Sequence, residues 1–539
     1  MSLFALFLGS SFLAPPGFHY RVLEMRTLPL EFQTLIIKHL DARDIVHLQQ
    51  ACKGFNDLIK GNAEVWRACL KRLCHVEGLF WSSFNGLSTD VEYKNACTGI
   101  WRFKKRYRKC ESSGGDMSHR SESRHLPVRA YGDLAEEGDA EADEAEEEVI
   151  YGDPHIKNPH PGIKGIYLVP GGRFLVTADN TWLLVWDLGP PGKKDAPAVW
   201  MQHRLDCIGS IKFLDVHIAE NTALRIVLQE DFYGEVPPYI DPSQLSVNDD
   251  NTTLTTFHCL EVCLPENGDY AIKMQGRLYV ARTDDDEIKA VQCGHTVALE
   301  VSADVILLWD TQGWTFSFWK LPEDSTFYMQ QGYLFAITGE GVQVIDLTHS
   351  PRNLVTNQPV DLRSLSPASA PLFHSYEWPT ELEDIVEVIL PKSIPACGSV
   401  EYELQVGLEP KAYKTHRFSH DFNPQAPSSS TARSLGTPKS AGAGADLSED
   451  PWIRFECGDG DWGYICEASP DISNISMTLQ GNSGLLAHSE YSDPVSIMTP
   501  ENESTIIQEV NVCPFSGRVV FLWDRRLLED AMLEIVDYL

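Results

Sequence analysis

The residues best arranged to do chemistry form a literal G-x-G-x-x-G at Gly458, Gly460 and Gly463. Such a loop cradles a phosphate when it joins a strand to a helix N-terminus, where free amides and the helix dipole meet the anion. Here it lies between two strand-like stretches, Trp452 to Cys457 and Tyr464 to Glu467, and it sets Asp459 and Asp461 where a phosphate needs positive charge. A hairpin turn is the reading. Cys259 and Cys263 stand i, i+4 in a strand-like run, on one face but too far apart for easy shared ligation, so they read as packed thiols. The chain holds no H-E-x-x-H, no G-x-S-x-G and no P-loop, and its 17 histidines show no ligand-like clustering. No catalytic residue, metal or cofactor is expected. A site would have to be assembled from residues distant along the chain.

The elements that would position any site fall into segments of different charge. The chain of 539 residues carries a net charge of −33. Residues 1–132 sum to +7, residues 133–160 to −10 and residues 161–539 to −30. Such acidity argues against nucleic acid as a partner, because phosphate neutralisation needs a surplus of Lys and Arg. No apolar run reaches the roughly 18–20 residues of a membrane helix, so no membrane partner is expected. Thirteen cysteines, an odd number with no C-x-x-C, point to reduced thiols and a cytoplasmic or nuclear location. Leu3 to Ala14 has the apolar character of a signal-peptide core, but no basic residue precedes Arg21, so residues 1–24 are expected to be a disordered leader. A secreted product would gain glycan at the sequons beginning at Asn251, Asn474 and Asn502.

From Leu28 the period is helical. Pro29 suits a first turn, and Phe32, Leu35, Ile36 and Leu40 recur at spacings that line one face. Asp44 is placed to cap a second helix continued by Ile45, Leu48 and Cys52; Phe55, Leu58 and Ile59 mark a third, ended at Gly61; Val65, Trp66, Cys69, Leu70 and Leu73 mark a fourth. So few helices cannot bury all these groups among themselves, and a partner surface is expected. The series Leu28-Pro29-x-Glu31-Phe32, Ile36, Leu40, Asp44-Ile45, Leu48, Cys52, Phe55, Leu58 and Val65-Trp66 resembles the F-box over residues 28–74, departing from it at Gly54-Phe55, where the family often has Arg and Trp. The resemblance implies an F-box helical domain over residues 25–74 that docks the Skp-type adaptor of cullin-based ubiquitin ligases. Its adaptor-binding residues would be Leu28, Pro29, Phe32, Ile36, Leu40, Ile45, Leu48, Cys52, Phe55 and Trp66.

A helical extension is expected over residues 75–110, with residues 89–109 as one helix whose basic end, Arg102 to Lys109, suits a last helical turn. Residues 111–160, with ten acidic and no basic side chains between 133 and 148, read as an acidic disordered tether. After Ile163 the period becomes 2, in short β-rich runs separated by Gly, Asp, Asn and Pro. A recurring strand ending, Leu184-Val185-Trp186-Asp187, Leu307-Leu308-Trp309-Asp310, Val344-Ile345-Asp346 and Leu522-Trp523-Asp524, resembles the third strand of WD-repeat blades. Residues 161–539 are therefore expected to be an all-β, propeller-like domain of about seven blades, with a disordered insert at 424–450. Leu533 to Leu539 is expected as the closing strand beside the first blade, with a helix over Leu527 to Tyr538 as the competing reading.

The fold class is thus multidomain, a small all-α module followed by an all-β propeller. The function it implies is a non-catalytic substrate receptor of an SCF-type ligase, partnered by the adaptor, through it a cullin, and by a protein substrate. The alternatives are an F-box scaffold outside ubiquitin transfer and a secreted or enzymatic propeller with a leader peptide.

Overall fold

The computed structural model describes residues 28–113, Met117, residues 122–126 and, with breaks at turns and loops, residues 163–539. The leader, most of the acidic run and most of the insert lie outside the described residues.

The described residues begin with six α-helices: α1 (Leu30–Lys38), α2 (Ala42–Ala51), α3 (Lys53–Ile59), α4 (Ala63–Glu77), α5 (Asp90–Cys97) and α6 (Gly99–Ser113). Each end has a local cause. Asp41, not Asp44, caps α2: its Oδ1 accepts the Asp44 amide at 2.8 Å, which makes Asp44 a first-turn residue. α4 stops at Gly78, whose left-handed backbone returns the chain. Thr89 and Glu92 form a capping box that starts α5. The single helix expected over 89–109 is two, parted at Thr98. There the chain meets the β domain so closely that a Cβ on Gly99 would overlap the Phe515 carbonyl oxygen.

The described strands form seven sheets, antiparallel except where the short strands Val360–Asp361 and Ala368–Ser369 join the second and third in parallel. The first runs through Gly165–Leu168, Phe174–Ala178, Trp182–Asp187 and Ala198–Arg204, and the second through Ser210–Ala219, Ala223–Phe232, Thr253–Cys263 and Ala271–Arg282. The third and fourth begin at Lys289–Cys293 and Thr326–Gln330, the fifth and sixth at Ile385–Ile389 and Ile453–Asp459, and the seventh at Thr505–Cys513. The opening strands of the first four sheets pack side by side in order, the fourth and fifth sheets share one core, and Thr505–Cys513 lies between Ile453–Asp459 and Gly165–Leu168, so the last sheet returns to the first. This is a propeller order, in which no sheet can bury its faces alone and each is covered by its neighbours. The Trp-Asp endings do structural work. The Trp186 indole donates to Thr177 Oγ1 at 3.1 Å, and Asp187 holds Arg173 through two hydrogen bonds of 2.9 and 2.7 Å. The glycine-rich stretch is a hairpin: Asp459 pairs with Trp462, leaving two residues between the strands.

Three expectations are corrected. Within the segment expected as a tether, Glu122–Leu126 is a strand, and it pairs with Asp530–Asp537 as the outer strand of the seventh sheet. Ring closure is therefore made by a strand from the amino side of the domain, and the carboxy-terminal strand sits inside the seventh sheet rather than beside the first; the competing helix over 527–538 is not formed. Within the expected insert, Thr431–Gly436 is the outer strand of the fifth sheet. Both strands are polar, and composition alone hides an edge strand whose stability comes from the ladder it joins.

The helical module is not hung on a tether. Its core, including Ile45, Leu48, Val65, Trp66 and Leu70, is continuous with Ile166, Leu175, Trp186, Phe515 and Ile535 of the β domain. Phe80 and Ser83 both donate to the Pro170 carbonyl, at 3.1 and 3.1 Å, Arg173 donates to Asn85, and Arg106 donates to the Tyr538 carbonyl. Gly99→Ala is therefore expected to pry α6 from the β domain, since the opposing atom is backbone and cannot swing aside. A calorimetric transition that splits in two, with faster proteolysis between residues 113 and 122, is the expected readout; an unchanged single transition would show that the contact can give.

Inside the second sheet, burial and then the facing Arg225 push His217 down to about 4. The folded chain thus binds fewer protons here than the unfolded chain between pH 4 and the ordinary imidazole range near 6.5. This contribution to stability is full above about pH 6.5 and is lost as pH falls toward 4, about 3 kcal/mol in all. His217→Gln is expected to flatten that part of the stability curve in melts at stepped pH. A mutant curve parallel to the wild type would contradict it.

No helix among the described residues is long and apolar enough to cross a membrane.

Candidate functional site

Helix α1 carries apolar side chains all round, and packing decides which are spoken for. Ile37 is fully buried and anchors the helix to α4. Phe32 and Leu35 point to the side away from Ile37, and with Leu30 they remain 57, 54 and 59% exposed. Arg72 of α4 holds the helix in place by donating to the Lys38 carbonyl at 2.8 Å and to the Leu40 carbonyl, two of the acceptors that a helix end leaves open. A shallow hollow of about 310 Å³ lies along the exposed side, lined by Leu30, Glu31, Thr34, Leu35 and Lys38.

The residues expected to bind an adaptor divide into two groups. Pro29 and Phe32 are exposed, and Leu28, Ile36, Leu40 and Cys52 are half-buried. Ile45, Leu48, Phe55 and Trp66 are buried in the chain's own core, where Trp66 sits beneath the Lys94 ammonium, 5.5 Å from the ring centre. Leu30 and Leu35 were absent from the expected set although both are exposed on the same helix as Phe32. Their signal was an apolar count on α1 larger than one buried stripe can use. Near the start of α2, partial burial first, and then the Asp41 charge, raises the Asp44 carboxyl above its usual range.

A second grouping joins residues that no spacing connects. Cys207, Glu230 and His258 bring one donor atom each to within 4.8 Å of one another. They come from the connection between the first two sheets and from two strands of the second.

Residues 25–72 match the F-box-like family model. No curated protein matches the chain. Among solved structures, the WD40 domain of SCAP from fission yeast is similar over 70% of this chain and 82% of its own, at 11% identity and a TM-score of 0.30. Sqt1 from Saccharomyces cerevisiae is similar over 70% of this chain and 96% of its own, at 8% identity and a TM-score of 0.31. Sqt1 from Chaetomium thermophilum covers 70% and 83%, at 10% identity and a TM-score of 0.31. The sheet order, rather than these scores, carries the fold. An F-box-like helical domain at residues 25–72, followed by a WD-like β-propeller domain, is what this chain contains.

Proposed function

We propose that the chain is a substrate-recognition subunit of an SCF-type cullin ubiquitin ligase, acting in the cytoplasm, the nucleus or both. The helical module docks a Skp-type adaptor and, through it, a cullin, while the propeller holds a protein substrate. The observation that carries this reading is the outward pair Phe32 and Leu35 on α1, with Leu30 exposed at the helix start, within the F-box-like match. Exposed residues of this size in one patch mark a surface that another polypeptide covers. Leu28, Pro29, Ile36, Leu40 and Cys52 would complete the rim, and Ile45, Leu48, Phe55 and Trp66 would set the helices from within.

The contribution is proximity. Holding a substrate beside a ubiquitin-charged partner replaces a bimolecular encounter with an oriented one. Because helical module and propeller share one core, reach is set by the docked geometry and not by a flexible tether. The module rests on the connections after the first strands of the first and seventh sheets, at Pro170 and Phe515, so the opposite rim is left for the substrate. The −30 charge of residues 161–539 suits a neutral or basic target.

Co-precipitation from cells expressing the full chain tests the reading. Adaptor and cullin captured together, and both lost with Phe32→Ala/Leu35→Ala, is the expected result. Adaptor without cullin would favour a scaffold outside ubiquitin transfer, and neither would overturn both.

A further inference from the structure

We propose that Cys207, Glu230 and His258 form a binding site for a zinc-class divalent metal where the connection from the first sheet meets two inner strands of the second. Glu230 and His258 are 0 and 2% exposed, and Cys207 is half-buried, leaving one side of the group accessible. Glu230 Oε2 lies 2.7 Å from His258 Nε2, Cys207 Sγ lies 3.9 Å from the same nitrogen, and the Gly209 amide donates to Glu230 Oε1 at 3.1 Å.

The geometry distinguishes this trio from a nucleophilic one. A thiol, imidazole and carboxylate that relay a proton use the two different ring nitrogens, thiol on one and carboxylate on the other. Here both converge on Nε2, and Nδ1 has no partner among the described residues. Convergence on one point is what a shared metal requires. The position in the sheet sharpens the contrast. Trp186 faces Leu175 and bonds to Thr177 two residues on; His258 faces Leu228 and meets Glu230 two residues on. The first sheet fills this diagonal with a neutral hydrogen bond, whereas the second fills it with a fully buried carboxylate beside a thiol.

Burying that carboxylate is expensive unless its charge is compensated. A dication balances one carboxylate and one thiolate to zero net charge. Binding to the neutral imidazole would release the thiol proton to solvent and move the Nε2 proton to Nδ1, so one proton leaves per metal bound. Sulfur, nitrogen and oxygen donors together suit zinc rather than magnesium or calcium. Tetrahedral zinc places sulfur and nitrogen roughly 3.6 Å apart, close to the distance seen, and nitrogen and oxygen roughly 3.4 Å apart, so the carboxylate must swing outward.

The test uses the full chain, stripped with chelator and titrated with Zn²⁺ or Co²⁺. One equivalent bound with a thiolate-to-cobalt charge-transfer band is the expected result. Cys207→Ser, a change in a connection rather than in the core, should remove the band, and His258→Gln should weaken binding at least about tenfold. No binding at all, or equal binding and an unchanged band in Cys207→Ser, overturns the proposal. Thermal melts of each variant show that it is folded, and if His258→Gln is not, Cys207→Ser alone decides.

Discussion

Phe32→Ala with Leu35→Ala is expected to reduce adaptor affinity by about a hundredfold while leaving the melting temperature of the free chain unchanged. The two halves of that result have one cause. Both side chains are more than half exposed in the free chain, so truncating them removes little packing. Covered by a partner, each would lose its remaining contact with water and fill a hollow in the facing surface. Central apolar anchors of this kind contribute about 1–2 kcal/mol or more each, and about 3 kcal/mol together is roughly a factor of a hundred in affinity. Calorimetric titration of the purified adaptor into the two proteins measures it. Ile45→Ala is the instructive contrast, because that side chain is fully buried in the chain's own core. It should lower stability by about 2–5 kcal/mol and weaken the adaptor only through the fold. If the double variant binds as tightly as the wild type, the outward side of α1 is not the docking face.

Asp537→Ala should be the most destabilising single change at the ring closure. Asp537 receives Arg518 Nε at 2.6 Å on one oxygen and Arg124 at 2.6 Å on the other. Both arginines reach across to the first sheet: Arg518 donates to the carbonyls of Gly172 and, at 3.2 Å, Gly189, and Arg124 to Leu188 at 3.2 Å. One carboxylate thus joins the closing strand Glu122–Leu126, the carboxy-terminal strand and the first sheet. Arg518 is 1% exposed, so removing its counter-charge leaves a buried cation uncompensated, a loss of about 3–5 kcal/mol. The melting temperature should fall by roughly 5 °C, read by scanning calorimetry. Arg518→Met combined with Asp537→Leu should recover much of that loss, because an apolar pair leaves no charge behind. A fall of less than about 1 kcal/mol for Asp537→Ala would show that the closure does not depend on this pair.

Periodicity is a local property, and what depended on it was legible without a structure. The apolar repeat from Leu28 to Leu73 requires helices, and the alternation after Ile163, with its Trp-Asp strand endings, requires short strands in repeated sheets. The strands at Glu122–Leu126 and Thr431–Gly436 were not legible, because polar edge strands form only when a ladder is offered to them.

For the site, the amino-acid sequence alone determined that α1 and α2 hold more apolar side chains than their own helices can bury. Only the tertiary structure decided that Ile37, Ile45 and Leu48 turn inward while Leu30, Phe32 and Leu35 turn out. Exposure depends on what packs against a helix from elsewhere in the chain, here α4 and the β domain behind it. The same reason hid Cys207, Glu230 and His258, which 51 residues separate in sequence and the strand pairing of one sheet brings together.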